Sequence, residues 1–150
     1  MGATVMASGS SAPDRASAFL HAIVWGEHTR IWDLLSDDGR QLALRVATDN
    51  GLDRVVAGRI GQDLSDPTER EEFLRQLLRG LRQDLRSVDL PNLTVDTSPS
   101  DVDRETVSIA ITSPSAIPGT EEWAAGRLVL SRDQTRGWCI DRLEPRLARP

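Results

Sequence analysis

Two histidines and two tryptophans stand at His21, Trp25, His28 and Trp32, separated by four, three and four residues. In an unbroken helix that spacing gathers all four rings on one stripe. An imidazole that can take or give a proton near neutral pH, set beside indole walls, suits a small-molecule cavity. The same stripe also reads as the border of a core or as a subunit contact, with ring N–H groups partly wet, the commoner role of aromatic rings at helical spacing. A fifth candidate is Asp141 in the run Gly137-Trp138-Cys139-Ile140-Asp141-Arg142-Leu143. Strict alternation puts it on the face of Cys139 and Leu143, opposite Trp138 and Ile140. Turned into an apolar cavity, its carboxyl would be harder to ionise and could act as a general base. Turned outward, it would pair with an arginine, the commoner arrangement.

Other constellations carry less chemistry. Arg75, Arg79, Arg82 and Arg86 repeat at helical spacing beside a leucine face, and such a row can grip phosphates or RNA. Acidic residues share the segment and no aromatic residue interleaves, so solvated stems covering the core edge explain the row better. Cys139 is the single cysteine. A lone strand cysteine reads as a small buried hydrophobe, and it excludes both an internal disulfide and a multi-thiolate metal cluster. Gly58-Arg59-Ile60-Gly61 lacks the Gly-Lys-Ser/Thr ending of a phosphate loop, and Asp101-Val102-Asp103 lacks the later ligands of a calcium loop. No cofactor and no metal are expected.

These residues must be positioned by a chain of 150 residues, the size of one ordinary domain. A hydrophobic fraction of 39% with a net charge of −5 is globular composition. All 18 basic residues are Arg, a bias that fits a GC-rich bacterial coding background. The acidic balance opposes general nucleic-acid or anionic-membrane binding. No run reaches the roughly 20 apolar residues of a membrane span. Met1 to Pro13 lacks the basic and apolar regions of a signal peptide. The expectation is a cytoplasmic protein without membrane contact, with a flexible tail over 1–12, one domain over 13–146 and a short tail over 147–150.

Phe19, Leu20, Ile23 and Val24, then Ile31, Leu34 and Leu35, follow a helical period, in one long helix or two joined at Gly26. Gln41 to Ala47 reads as helix, whereas Leu52 to Ile60 fits a short helix or a strand. Asp66-Pro67 followed by glutamates starts the clearest helix, whose stripe Phe73, Leu74, Leu77, Leu78, Leu81 and Leu85 should be buried while its arginines stay exposed. From Asn92 the period becomes two, through Leu93 and Val95, Val107 to Ile111, Trp123 to Leu130 and Trp138 to Leu143. Four strands with short connections predict an antiparallel meander. The fold class is α+β: N-terminal helices packed on a curved C-terminal antiparallel sheet of about four strands, cone-like.

The segments Ala18-Phe19-Leu20-His21-Ala22-Ile23-Val24-Trp25-Gly26-Glu27-His28 and Ile31-Trp32-Asp33-Leu34-Leu35-Ser36-Asp37-Asp38 resemble the first helix of nuclear transport factor 2-like domains. The ending Gly137-Trp138 with its alternating apolar residues resembles their closing strand. The resemblance spans roughly residues 14–38 and 92–144 and implies a cone whose mouth holds a small apolar ligand. It also implies a superfamily of polyketide cyclases, isomerases, hydrolases and many non-catalytic binding and dimerisation modules. No tyrosine matches the isomerase oxyanion donor, so no catalytic residue carries over. The expected function is a non-catalytic small-molecule-binding or dimerisation domain, with a homodimer as the expected assembly and a small apolar ligand as partner. The alternatives are a cyclase- or isomerase-type enzyme moving a proton on a His or Asp, and a regulatory RNA-binding protein.

Overall fold

The computed structural model describes residues 11–85, 90–95, 106–113 and 123–145. Both terminal tails, apart from Ser11 and Ala12, lie outside the described residues, as do Arg86 and the Asp101–Asp103 run. Among the described residues five helices come first: α1 (Ala12–Trp25), α2 (His28–Leu34), α3 (Asp37–Asp49), α4 (Arg54–Gly61) and α5 (Pro67–Asp84). A short 3-10 turn (Leu90–Asn92) leads to β1 (Thr94–Val95), β2 (Thr106–Ser113), β3 (Trp123–Asp133) and β4 (Gly137–Pro145). The strands form one antiparallel sheet in the order β1-β2-β3-β4. The change of apolar period near Pro91 therefore marks a real division between helices and sheet.

Local chemistry sets the helix boundaries. Ser11 and Asp14 form a capping box at the start of α1, and Asp66 and Glu69 form another at the start of α5. Each box satisfies two backbone donors that a helix start leaves unpaired. Asp53 accepts from the N–H groups of Val55 and Val56, which settles the ambiguous Leu52–Ile60 stretch as helix. Ala57 and Ile60, three residues apart, are the pair that α4 buries. The first two helices are separate. Gly26 takes a left-handed backbone with φ 74°, and its N–H and that of Glu27 both return to the Ala22 carbonyl. Arg82 of α5 completes this end, donating through Nε to the Ile23 carbonyl at 3.0 Å and through a terminal nitrogen to that of Val24 at 3.1 Å.

Phe19 and Ile23 of α1, Ile31 and Trp32 of α2, and Phe73 of α5 share one apolar cluster with Ile109, Ile111, Leu128, Leu130 and Ile140 of the sheet. Each such side chain contributes about 1.5–3 kcal/mol on leaving water. Trp32 and Phe73 meet edge to face with ring centroids 5.4 Å apart, joining α2 to α5. Of the leucine stripe on α5, Phe73 and Leu85 are buried as expected and Leu74 is buried with them, but Leu77, Leu78 and Leu81 are only half-buried. Their neighbours do not close over that side of the helix.

The sheet is bulged twice, between Ile111 and Thr112 of β2 and between Val129 and Leu130 of β3. At the second bulge Leu130 faces Ile140 and Val129 faces Arg142, so Asp141 is the extra residue with no opposite number. Beyond it Leu143 stands opposite Leu128 and shares the inner side with Ile140, contrary to the strict alternation expected for this strand.

Candidate functional site

A cleft of about 670 Å³ opens where α3 and α5 diverge beside β4. Phe19, Phe73 and Ile140, all nearly inaccessible, lie at its base. Leu42, Ala43, Val46 and Ala47 of α3 form one wall, and Leu77 and Leu81 of α5 form the other, with Leu143 of β4 between. Val46 is 51% exposed, which puts it at the mouth. The half-burial of Leu77 and Leu81 has its cause here. The polar lining comes from Asn50, Gln76, Arg79, Gln83, Asp84, Asp141 and Arg142. A concave, mainly apolar space of this size with a few polar groups is the usual form of a small-molecule site.

The sequence builds that wall by giving α3 two apolar sides. Leu44 is buried, and its Cδ1 would lie 3.2 Å from a β-carbon at Gly61 of α4. Leu42, Ala43, Val46 and Ala47, spaced by one, three and one, fall on another side and face the cleft. The helix is pinned to β4 at its first turn. The Ser36 N–H donates to the Ile140 carbonyl at 2.8 Å, and Leu35 bridges Ile140 in parallel. Ser36 Oγ caps α3 by accepting from the Gly39 N–H at 2.9 Å and donates its own proton to Asp141 Oδ1. Ser131 Oγ donates to that same oxygen at 2.7 Å. Gly39 permits the approach, because a β-carbon there would sit 2.5 Å from the Ile140 carbonyl oxygen and 3.0 Å from that of Asp141.

Asp141 is thus brought to the cleft, half-buried, but not as either reading of the sequence had it. Among the described residues it has no arginine partner, and its two hydrogen bonds come from serine hydroxyls and fall on Oδ1. Its first task is to hold the capping serine of α3 against the bulged strand. Sequence reasoning could not see this, because Ser36 lies 105 residues away and the bulge breaks the alternation.

The four-ring stripe is divided. Because α1 ends at Gly26, the rings of His21 and Trp25 belong to one helix and those of His28 and Trp32 to another. Trp32 is only 5% exposed, packed on Phe73, with the Arg40 guanidinium 5.1 Å from its ring centre. Trp25 is 68% exposed and its ring centre lies 5.9 Å from that of His21. His21 Nδ1 is 3.9 Å from a Glu27 oxygen, and His28 Nε2 is 3.4 Å from Glu71 Oε1. The bond from His28, with help from Arg75, holds the Glu71 carboxyl below its ordinary range. None of these four side chains lines the cleft.

On α5, Arg75, Arg79 and Arg82 are exposed, as expected of solvated stems. Cys139 is buried, and burial pushes its thiol above the ordinary range, which makes it a poor nucleophile. No histidine or cysteine lines the cleft, and no group of three metal-binding side chains exists among the described residues. No helix among the described residues is long and apolar enough to cross a membrane. No family model, curated protein or solved structure matches this chain.

Proposed function

We propose that this domain is a non-catalytic binding module for a small apolar molecule, held between α3, α5 and β4. The resemblance to nuclear transport factor 2-like domains implies the same class of ligand. The observation that carries the reading is the cleft of about 670 Å³, walled by Leu42, Ala43, Val46, Leu77, Leu81 and Leu143. Leaving these leucines half-exposed forgoes burial energy that a closed core would have gained. A bound apolar molecule recovers it. Asp141, occupied by two serine hydroxyls, contributes to the shape of the site rather than to chemistry.

The test is titration with the neutral fluorophore N-phenyl-1-naphthylamine. Wild-type protein should show a saturable rise in emission, and Ala43→Trp and Leu77→Trp, which fill the cleft from opposite walls, should abolish it while retaining a cooperative melt. A rise that survives in both folded variants removes the cleft as the site. Within a homologous series of n-alcohols, each buried methylene should tighten binding about fourfold, corresponding to about 0.8 kcal/mol.

A second reading, self-association through the end of α1, is favoured by Trp25, a large ring left 68% exposed beside His21. Under that reading Trp25→Ala shifts the sedimentation mass from dimer to monomer and leaves the fluorophore titration unchanged. A wild-type protein that sediments as a monomer at high concentration rejects it.

A further inference from the structure

We propose that the cleft selects apolar molecules carrying a single anionic group, and that Arg79 is the residue that meets the anion. This rests on the reading of the cleft as an apolar binding site and adds the charge of its ligand. The arginines of α5 differ in what they already hold. Arg70 lies 3.7 Å from Asp63, Arg75 lies 3.0 Å from Glu71, and Arg82 donates to the carbonyls that end α1. Arg79 makes no hydrogen bond or ion pair among the described residues, and it lines the cleft.

The other charged groups in the lining each have at least one partner. Asp141 accepts from two serines, Arg142 donates to Glu144 at 2.6 Å, and Asp84 also has a partner. Arg79 is therefore the charged group of the cleft with no hydrogen bond or ion pair among the described residues. A guanidinium offers a planar fork that matches a carboxylate through two parallel hydrogen bonds. The position also orders the ligand. Arg79 and Gln76 are shared with an adjoining polar groove of about 340 Å³, so the apolar walls end where the guanidinium stands. That groove carries Glu71 and Glu72 beside Arg75, whose guanidinium is already paired with Glu71, so it adds no net positive charge for a second anionic group. A cationic head would meet Asp141, whose Oδ1 is already taken by two serine hydroxyls, and Asp84, which also has a partner. The preference would run against the chain's net charge of −5, which by itself attracts cations.

The experiment is calorimetric and NMR titration of wild type, Arg79→Gln and Arg79→Glu with octanoate, octan-1-ol and octylammonium at low ionic strength. Arg79 is exposed, so both variants should melt as wild type does. Wild type should bind octanoate more tightly than the other two. Arg79→Gln should weaken octanoate about three- to fivefold, as for an exposed ion pair, and leave octan-1-ol unchanged. Arg79→Glu should reverse the order in favour of octylammonium. Equal binding of all three by wild type overturns the charge preference while the apolar cleft stands. An octanoate preference unchanged in Arg79→Gln overturns the assignment to Arg79. Binding of none of the three overturns the apolar reading as well.

Discussion

Replacing Gly39 with alanine should destabilise the domain, although the same change inside most helices stabilises it. Gly39 is in the first turn of α3, where alanine's helix propensity would contribute up to about 1 kcal/mol. Its β-carbon, however, would stand 2.5 Å from the Ile140 carbonyl oxygen, 3.0 Å from that of Asp141 and 3.3 Å from Leu35 Cδ2. Two of these neighbours are backbone of a paired strand and cannot rotate away. Overpacking of this kind costs about 1–3 kcal/mol. If α3 instead withdraws, the bond from the Ser36 N–H to Ile140 is stretched, at about 1 kcal/mol. Set against the helix-propensity gain, the net loss is up to about 2 kcal/mol, which for a domain of this size lowers Tm by up to about 8 °C. Because α3 is a wall of the cleft, fluorophore affinity should fall with it. Gly58 and Gly80 are the internal controls, since a β-carbon at either meets nothing within 4 Å. Gly58→Ala and Gly80→Ala should each raise stability by about 0.5–1 kcal/mol in urea unfolding followed by circular dichroism. A Gly39→Ala protein as stable as the Gly58→Ala protein would refute the argument that α3 is seated on β4 through that glycine.

Phe73→Ala, which removes a nearly inaccessible ring under Trp32, should cost about 3–5 kcal/mol, whereas Leu81→Ala at the half-buried cleft wall should cost under about 2 kcal/mol; urea midpoints decide the order. Ser36→Ala removes both the α3 cap and a donor to Asp141 and should cost about 1–2 kcal/mol in the same assay. The Thr135 N–H foremost, then its hydroxyl and the Arg136 N–H, hold the Asp133 carboxyl below its ordinary range. Its folded pKa is therefore depressed, so its stabilising contribution is present above the unfolded value and is lost as pH falls from about 4 through the folded one. Urea midpoints of wild type and Asp133→Asn should converge as the solution is acidified, and a gap that widens contradicts the assignment.

The order of helices before strands was legible because the apolar period changes, and the start of α5 because Asp66, Pro67 and the following glutamates stand where a helix start wants them. Leu52 to Ile60 was ambiguous because eight or nine residues hold too few turns to separate the two periods, and the Asp53 cap decides it only in three dimensions. The ring stripe depended on a helix continuing through Gly26. Glycine permits either outcome, and Arg82, which donates to the carbonyls of Ile23 and Val24, lies 59 and 58 residues away from them. Of the cleft, the leucines of α5 were visible as a stripe, but their partial exposure depends on how far α3 stands from them. A signal was present in α3, where Leu42, Ala43, Val46 and Ala47 form a second apolar side beyond the one that Leu44 needs. Asp141 was identified by type, while its role waited on a bulge that no single-strand pattern reveals.

The central claim, that the space between α3, α5 and β4 binds a small apolar molecule, is tested most directly by an 15N-resolved NMR titration of the wild-type chain with octan-1-ol. The account predicts saturable shifts confined to the amides of Leu42, Ala43, Val46, Leu77, Leu81 and Leu143, with those around Trp25 unmoved. Shifts that fail to saturate, or that gather at the end of α1 instead, would contradict it.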